Sequence, residues 1–591
     1  MRRAVVTVVS VLLGVSVMAV PAVSAPPEAP PSQPVATGTG GAAATVDVRA
    51  TEAAIDVLAD GGNAVDAAVA AAAVLGVTDP YSCGIGGGGF MVVYRASDGT
   101  VHTNDHREAA PGAFEPDTFI DPATGQPIPF AEAVTSGLGV GVPGTVLGWQ
   151  RMLDRFGTRS LSEMLQPAIE VARQGFVVDQ TFHDQTVANR ERFSQFTSTR
   201  RLFLDGSKAP RVGSVFRNPD LAETLELIAR RGTRAFYEGR IADAIVAAVQ
   251  DPPLRPTATY RVRPGLMETS DLESYRAPFR APTHVGYRGL DVYGMGPPSS
   301  GGSTVGEALN VLEGFDLSAM PRADALHLYL EASALAFADR NAYLGDPDFV
   351  DVPLDGLLSD DYAAERRALI GPTATAKPVA AGNPWPYDGG TGAPRGAVGV
   401  SREGRSTTHL TVADAAGNVV SYTFTIEQTG GSGIVVPDYG FLLNNELTDF
   451  NFVPPHPNAP DGGKRPRSSM SPTIVLDGGE PVLALGSPGG STIITTVLQM
   501  LVNRIDFGMT LPRALAAPRA SQRNTSATTA EPEFVASPEA AVLTSLGHSF
   551  SSTPEIGAAT AIELLPGGVF QAAAEPVRRG GGDAGVVQPA P

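Results

Sequence analysis

The stretch GRSTTHLTVADAAGNVVSYTFTIE, residues 404–427, decides how the rest of the chain is read. Two strand-like runs, HLTVAD and NVVSYTFTIE, flank Ala415-Ala416-Gly417, and Gly417 suits the left-handed position that closes a three-residue hairpin loop. Antiparallel pairing about that loop sets Thr407 directly opposite Thr425 and points Glu427 to the same face as Thr425. A threonine hydroxyl is a feeble nucleophile unless a base takes its proton, and the hairpin offers no His-Asp pair for the task. The backbone can supply the base instead. If the bond between Ser406 and Thr407 is cut, the new α-amine, with a pKa of about 7.7–8.0, can deprotonate the hydroxyl of its own residue. The cut itself can start with Thr407 attacking the Ser406 carbonyl, which exchanges an amide for an ester that water hydrolyses. Threonines are also common in strands, so the hairpin taken alone equally fits a purely structural role.

Working outward, the chain has 591 residues, enough for two or three ordinary domains or for one large layered core. It carries 62 acidic against 43 basic residues, a formal charge of −19. Such a surface repels nucleic acid and anionic membranes at long range, and both classes of partner are excluded. The amino terminus, MRRAVVTVVSVLLGVSVMAVPAVSA, has two arginines, an apolar run from Ala4 to Val20 and small residues at Val23-Ser24-Ala25. It reads as a secretory signal over residues 1–25, and the run is shorter than the roughly 20 apolar residues of a membrane span. The expectation is an exported, extracytoplasmic protein with no membrane attachment. Cys83 is the sole cysteine, so no internal disulfide forms.

Residues 26–47 are rich in Pro, Ala and Gly and read as a disordered leader. TEAAIDVLADGG and NAVDAAVAAAAVLGV follow as two helices, the second capped by Asn63. In CGIGGGGFMVVY the glycines Gly84, Gly86 and Gly89 formally satisfy a dinucleotide fingerprint, but a β-run follows where that fingerprint needs a helix. A close backbone turn is the better reading. His102 and His106 have metal-like spacing but lie in a segment that is extended rather than helical, and His409 reads as packing. Residues 371–400 read as an exposed connector.

The motifs STTHLTV, LLNNELTDF, KRPRSSMSPTIV and GSPGGSTIITTVLQ resemble, in this order, the small subunit of gamma-glutamyltransferases, also called gamma-glutamyl transpeptidases or glutathione hydrolases. GGNAVDAA, GIGGGGF, DHREAAP, VPGTVLGW, PPSSGG and ADRNAYLGDPDF resemble the large subunit, and the resemblance runs from about residue 48 to about residue 585. It implies a mixed α/β (α+β) fold, the αββα sandwich of the amino-terminal-nucleophile hydrolases. It also implies a proenzyme that cleaves itself between Ser406 and Thr407 into a large subunit, 48–406, and a small one, 407–591, which stay together as a heterodimer. Thr407 is then the nucleophile and Thr425 its hydrogen-bond partner. Substrates would be small gamma-glutamyl compounds such as glutathione, and the resemblance implies no metal and no cofactor.

A gamma-glutamyl donor carries a carboxylate and an ammonium at one end, so the pocket needs fixed charges of both signs. Arg107 can fork onto the carboxylate, with Ser468 and Ser469 as hydroxyl donors, while Glu446 and Asp449 take the ammonium. Gly489 and Gly490 let backbone N–H groups approach an oxyanion. Two departures from well-known members matter. Glu427 stands where the family often has Asn, which crowds a third carboxylate around the ammonium. The segment FNFVPPHPNAPDGGK is also shorter than the lid-bearing segment of bacterial relatives. A cephalosporin (glutaryl) or other amide acylase of the same superfamily, and an unprocessed solute-binding protein, remain as alternatives.

Overall fold

A computed structural model describes residues 32–390, 392, 404 and 406–590; the expected signal, residues 1–25, lies outside them. Thirteen strands form one continuous sheet: β1 (Val35–Thr45), β2 (Gly88–Arg95), β3 (Thr100–Asp105), β4 (Phe279–Arg280), β5 (Thr283–Tyr287), β6 (Leu290–Gly294), β7 (Thr408–Asp414), β8 (Val419–Thr425), β9 (Thr473–Asp477), β10 (Glu480–Gly486), β11 (Thr560–Leu565), β12 (Val569–Ala574) and β13 (Asp583–Pro589). Their order is β4-β3-β2-β8-β7-β1-β12-β11-β10-β9-β6-β5, with β13 also paired to β1. The sheet doubles over at β1, so that β7 and β8 lie face to face with β10 and β11. The result is two packed layers.

Helices cover both outer faces. α1 (Val48–Ala59) packs on α2 (Ala64–Thr78); α2 lies on β7 and β8, and α3 (Thr145–Phe156) on β2 and β3. On the far side α4 (Gly301–Glu313) covers β5 and β6, α5 (Arg322–Tyr343) packs on α4, and α6 (Thr492–Ile505) lies on β10. This is the αββα arrangement of helix, sheet, sheet, helix. Side-chain alternation along the strands feeds two cores. Met91 and Val93 of β2 face the first helical layer with Val412, Val420 and Tyr422, whereas Phe90 and Val92 face the other side with Ala413, Val419, Ile474 and Leu485. Asn63 caps α2 in a reciprocal box with Asp66, as its position ahead of the alanine run predicts.

The leader reading of residues 26–47 needs correction. Val35–Thr45 is a strand at the fold of the sheet, paired to β7, β12 and β13. Its Gly, Ala and Thr residues are small because backbone crowds them: a Cβ at Gly38 would run into the Gln588 carbonyl. Composition that resembles a linker here marks close strand packing. Residues 391 and 393–400 of the expected connector lie outside the described residues, but the part before them packs, with Trp385 and Tyr387 against Tyr343 and Tyr362.

Candidate active site

The hairpin forms with the expected register. Thr408 pairs with Phe424 and Ala413 with Val419, and Gly417 closes the loop at φ +88°. One step beyond β7, Thr407 therefore meets Thr425, with the two Oγ1 atoms 3.2 Å apart. Both hydroxyls converge on the carbonyl of the preceding peptide: Thr407 Oγ1 lies 2.5 Å and Thr425 Oγ1 2.9 Å from Ser406 O. Thr425 Oγ1 in turn accepts the Glu427 N–H at 2.9 Å. On the other side of Thr407, Arg579 Nη1 donates to its carbonyl oxygen at 2.7 Å. Ser406 is held by its own hydroxyl, which donates to Tyr81 O at 3.0 Å with Ser82 Oγ at 3.1 Å. The glycine run of β2 makes room for this strand end. Gly88 pairs with Thr425, and a Cβ on Gly87 would strike the Thr425 carbonyl.

Next to the hydroxyl pair lies a buried cluster of charge. Arg107 follows the end of β3, and its guanidinium pairs with Glu446 and, at 2.6 Å, with Asp449, while Nε donates to Pro466 O and Nη2 to Arg467 O at 3.2 Å. The acids come from one 3-10 turn, Glu446–Asp449, positioned by Asn444. That side chain accepts the Glu446 and Gly141 N–H groups and donates to the Gly86 and Gly141 carbonyls. Burial opposes the Arg107 charge, but Glu446 and Asp449 more than offset it, so the guanidinium stays protonated. Glu108 is buried beside Glu446; burial pushes its carboxyl up to about 8, and burial likewise raises that of Glu446. Neither Glu108 oxygen meets an N–H or O–H donor among the described residues.

Glu427 sits at φ +80°, a left-handed conformation imposed by the turn out of β8. It accepts the Gly404 N–H and bonds Asn445 Nδ2 and Gln428 Nε2. Burial, followed by the charges of Asp449 and Glu446, holds its carboxyl well above the ordinary range. The sequence anticipates this crowding. Ser468 Oγ accepts the Met470 N–H at 3.1 Å, and Ser469 Oγ accepts Arg340 Nη2 at 2.7 Å. Gly489 and Gly490, at φ +136° and +56°, carry the chain from β10 into α6 in conformations that side chains rarely adopt.

Thr407, Thr425, Arg107, Glu427, Glu446, Asp449, Ser468, Ser469 and Gly490 line one cavity together with Gly404, Met470 and Ile493; Gly489 is one residue outside it. The open volume is about 20 Å³, room for one water. Gly404 enters this lining from the segment ahead of Thr407 and donates its N–H to Glu427. The Arg107 fork, expected to be open for a carboxylate, is taken by Glu446 and Asp449. Three participants escape sequence reading. Glu108 adjoins Arg107 and could have been noticed in DHRE; Arg340 lies in ADRNAY with no sign of its target; Arg579, 172 residues after Thr407, gives no local signal at all.

The remaining candidates have structural partners. His409 Nδ1 bonds Thr423 Oγ1 at 2.8 Å, and burial lowers its pKa to about 3. His106 lies between Asn104 and the Tyr422 hydroxyl, each at 2.9 Å. Cys83 is buried, and burial raises its thiol pKa far above the usual value.

The family model of gamma-glutamyltranspeptidase matches residues 50–585. The chain belongs to this family. It is 41% identical over 553 residues to a glutathione hydrolase proenzyme of Bacillus subtilis (strain 168), covering 92% of this chain and 91% of that one. It is also 36% identical over 553 residues to an acylase ACY 1 proenzyme of Pseudomonas sp. (strain V22), covering 91% and 92%. Among solved structures, the cephalosporin acylase from Bacillus halodurans superposes with a TM-score of 0.83 at 30% identity, covering 96% of this chain and 99% of that one. As a member of this family the chain is a hydrolase and acyltransferase with an amino-terminal-nucleophile fold.

Proposed function

We propose that the protein is an exported gamma-glutamyltransferase and glutathione hydrolase that activates itself by breaking the Ser406–Thr407 bond. Thr407 Oγ1 attacks the Ser406 carbonyl carbon while Thr425 donates to the carbonyl oxygen, where negative charge develops. The C–N bond breaks, the nitrogen takes up the proton the hydroxyl gives and becomes the Thr407 α-amine, and water hydrolyses the resulting ester. Two associated subunits result. The segment ending at Ser406 then withdraws and opens the cavity.

In turnover the α-amine takes the Thr407 hydroxyl proton as Oγ1 attacks the gamma-carbonyl of the donor. Backbone N–H groups at Gly489 and Gly490 face the oxyanion. The amine product departs with that proton, leaving a gamma-glutamyl ester on Thr407. Water then releases glutamate, or an amino acid or peptide amine takes the acyl group.

The observation that carries this reading is the buried ion triplet beside the nucleophile. In the empty protein Glu446 and Asp449 occupy Arg107 as a substrate carboxylate would. A donor exchanges them: its carboxylate, helped by Ser468 and Ser469, takes the guanidinium, and its ammonium takes the two released acids. An acyl group without an ammonium would break the triplet and leave those acids unpaired, which is costly in a buried site. Glutathione is therefore a better donor than a glutaryl amide. The acylase relatives favour a second reading, hydrolysis of glutaryl amides, and Glu427, whose burial disfavours its charged form, lowers the demand for a cation. Gamma-glutamyl and glutaryl anilides assayed side by side decide between them: a kcat/KM in favour of the glutaryl compound refutes the proposal. Among the described residues no helix is long and apolar enough to cross a membrane.

A further inference from the structure

Far from the Thr407 cavity, α5 buries a second cluster of chemical groups. His327 and Glu331 stand one turn apart on the same helical face. His548, in the turn ahead of the strand Phe550–Ser552, closes over them. All three are at least 95% buried, and one possible ligand atom from each lies within 4.8 Å of the others. None of the three lines the Thr407 cavity.

The hydrogen bonds orient the rings. His327 Nε2 is 2.9 Å from the Gly371 carbonyl, which can only accept, so the proton is on Nε2. Its Nδ1 turns toward His548 Nε2, 2.8 Å away. An imidazole whose outer nitrogen donates to a backbone carbonyl while its inner nitrogen faces a second histidine has the arrangement of a metal ligand braced from outside. Glu331 divides its two oxygens: Oε1 holds the Lys377 ammonium, and Oε2 accepts the Thr375 N–H at 3.3 Å.

We propose that His327 Nδ1, His548 Nε2 and Glu331 form a site for a zinc-class divalent ion, with water as the fourth ligand. Two histidines and one glutamate are a recognised zinc donor set, and zinc–nitrogen bonds of about 2.0–2.1 Å place two nitrogens roughly 3.3 Å apart on a tetrahedral ion. The two rings need to part by about half an ångström to reach that spacing. On binding, the proton on His548 Nε2 moves to its own Nδ1, and no co-reactant is consumed. Lys377 is the built-in competitor, because its ammonium occupies the acid that the metal needs. The ion clasps two elements, α5 and the 548 turn, and takes no part in the chemistry at Thr407.

The test is titration of chelator-treated full-length protein with Zn2+, and separately with Co2+, whose visible d–d bands report tetrahedral coordination. One ion per chain, tetrahedral cobalt bands and a higher melting temperature with zinc are expected, with affinity falling about 100-fold or more in His548→Ala. Lys377→Gln distinguishes this site from a merely structural polar cluster: removing the competitor tightens zinc binding about 10-fold or more, and the measurement does not depend on whether His548→Ala folds. No saturable binding, binding unchanged in His548→Ala, or affinity unchanged or weakened in Lys377→Gln overturns the assignment.

Discussion

The two ends of the catalytic cavity are built by different means. The hydroxyl end, Thr407 with Thr425 and the Ser406 carbonyl, is assembled by the register of one hairpin whose strands are eight or fewer residues from their turn. The charged end, Arg107 with Glu108, Glu427, Glu446 and Asp449, draws on segments more than 300 residues apart, and Arg107 meets Glu446 across a separation of 339. One end follows from local pairing; the other exists only once both layers are packed. In the proposed mechanism bond breaking and recognition fall to different ends, and mutation should separate them.

The largest effect falls on the hydroxyl end. Thr407→Ala removes both the attacking oxygen and the processed nucleophile, so the chain stays whole and activity drops by roughly four to six orders of magnitude; electrophoresis and a gamma-glutamyl anilide assay measure both. Arg107→Gln strikes the other end. It leaves buried acids without their cation, at about 3–5 kcal/mol, which raises KM for gamma-glutamyl donors about 100- to 1,000-fold while cleavage at Ser406–Thr407 continues. If Arg107→Gln also blocks cleavage, the two ends are not separable.

Thr425→Ala removes the donor to the Ser406 carbonyl, slowing self-cleavage about 10- to 100-fold, and Thr425→Ser restores it; the rate is read from the time course of the small fragment. The smallest effect on activity belongs to Glu108, which acts on stability instead. Its folded pKa, about 8 against an ordinary 4.5, means that the folded protein holds a proton the unfolded chain has lost. Its contribution to stability is complete below pH 4.5 and is lost as the pH rises to about 8, with a slope of up to about 1.4 kcal/mol per pH unit. Glu108→Gln flattens that dependence in denaturant melts across this range; an unchanged slope contradicts a Glu108 carboxyl raised by burial.

The same contrast explains what the sequence discloses. The Thr407–Thr425 pairing is legible because strand alternation and Gly417 specify it within about twenty residues. The glycines of GIGGGGF are correctly read as close backbone approach, since a strand follows them. The state of Arg107 is not legible: its residue type fits a carboxylate, but only the packed structure shows Glu446 and Asp449 already there. Arg579 reaches the Thr407 carbonyl from the far end of the chain, beyond any local pattern. Val35–Thr45 misleads because small residues suit both a solvated linker and a strand wedged between neighbours, and composition does not distinguish the two.

The account rests on a backbone bond becoming the catalytic base. Intact-mass measurement and amino-terminal sequencing of active enzyme test it directly. The account predicts a fragment that begins at Thr407, appearing in step with activity; a fully active protein with Ser406 still joined to Thr407 would contradict it.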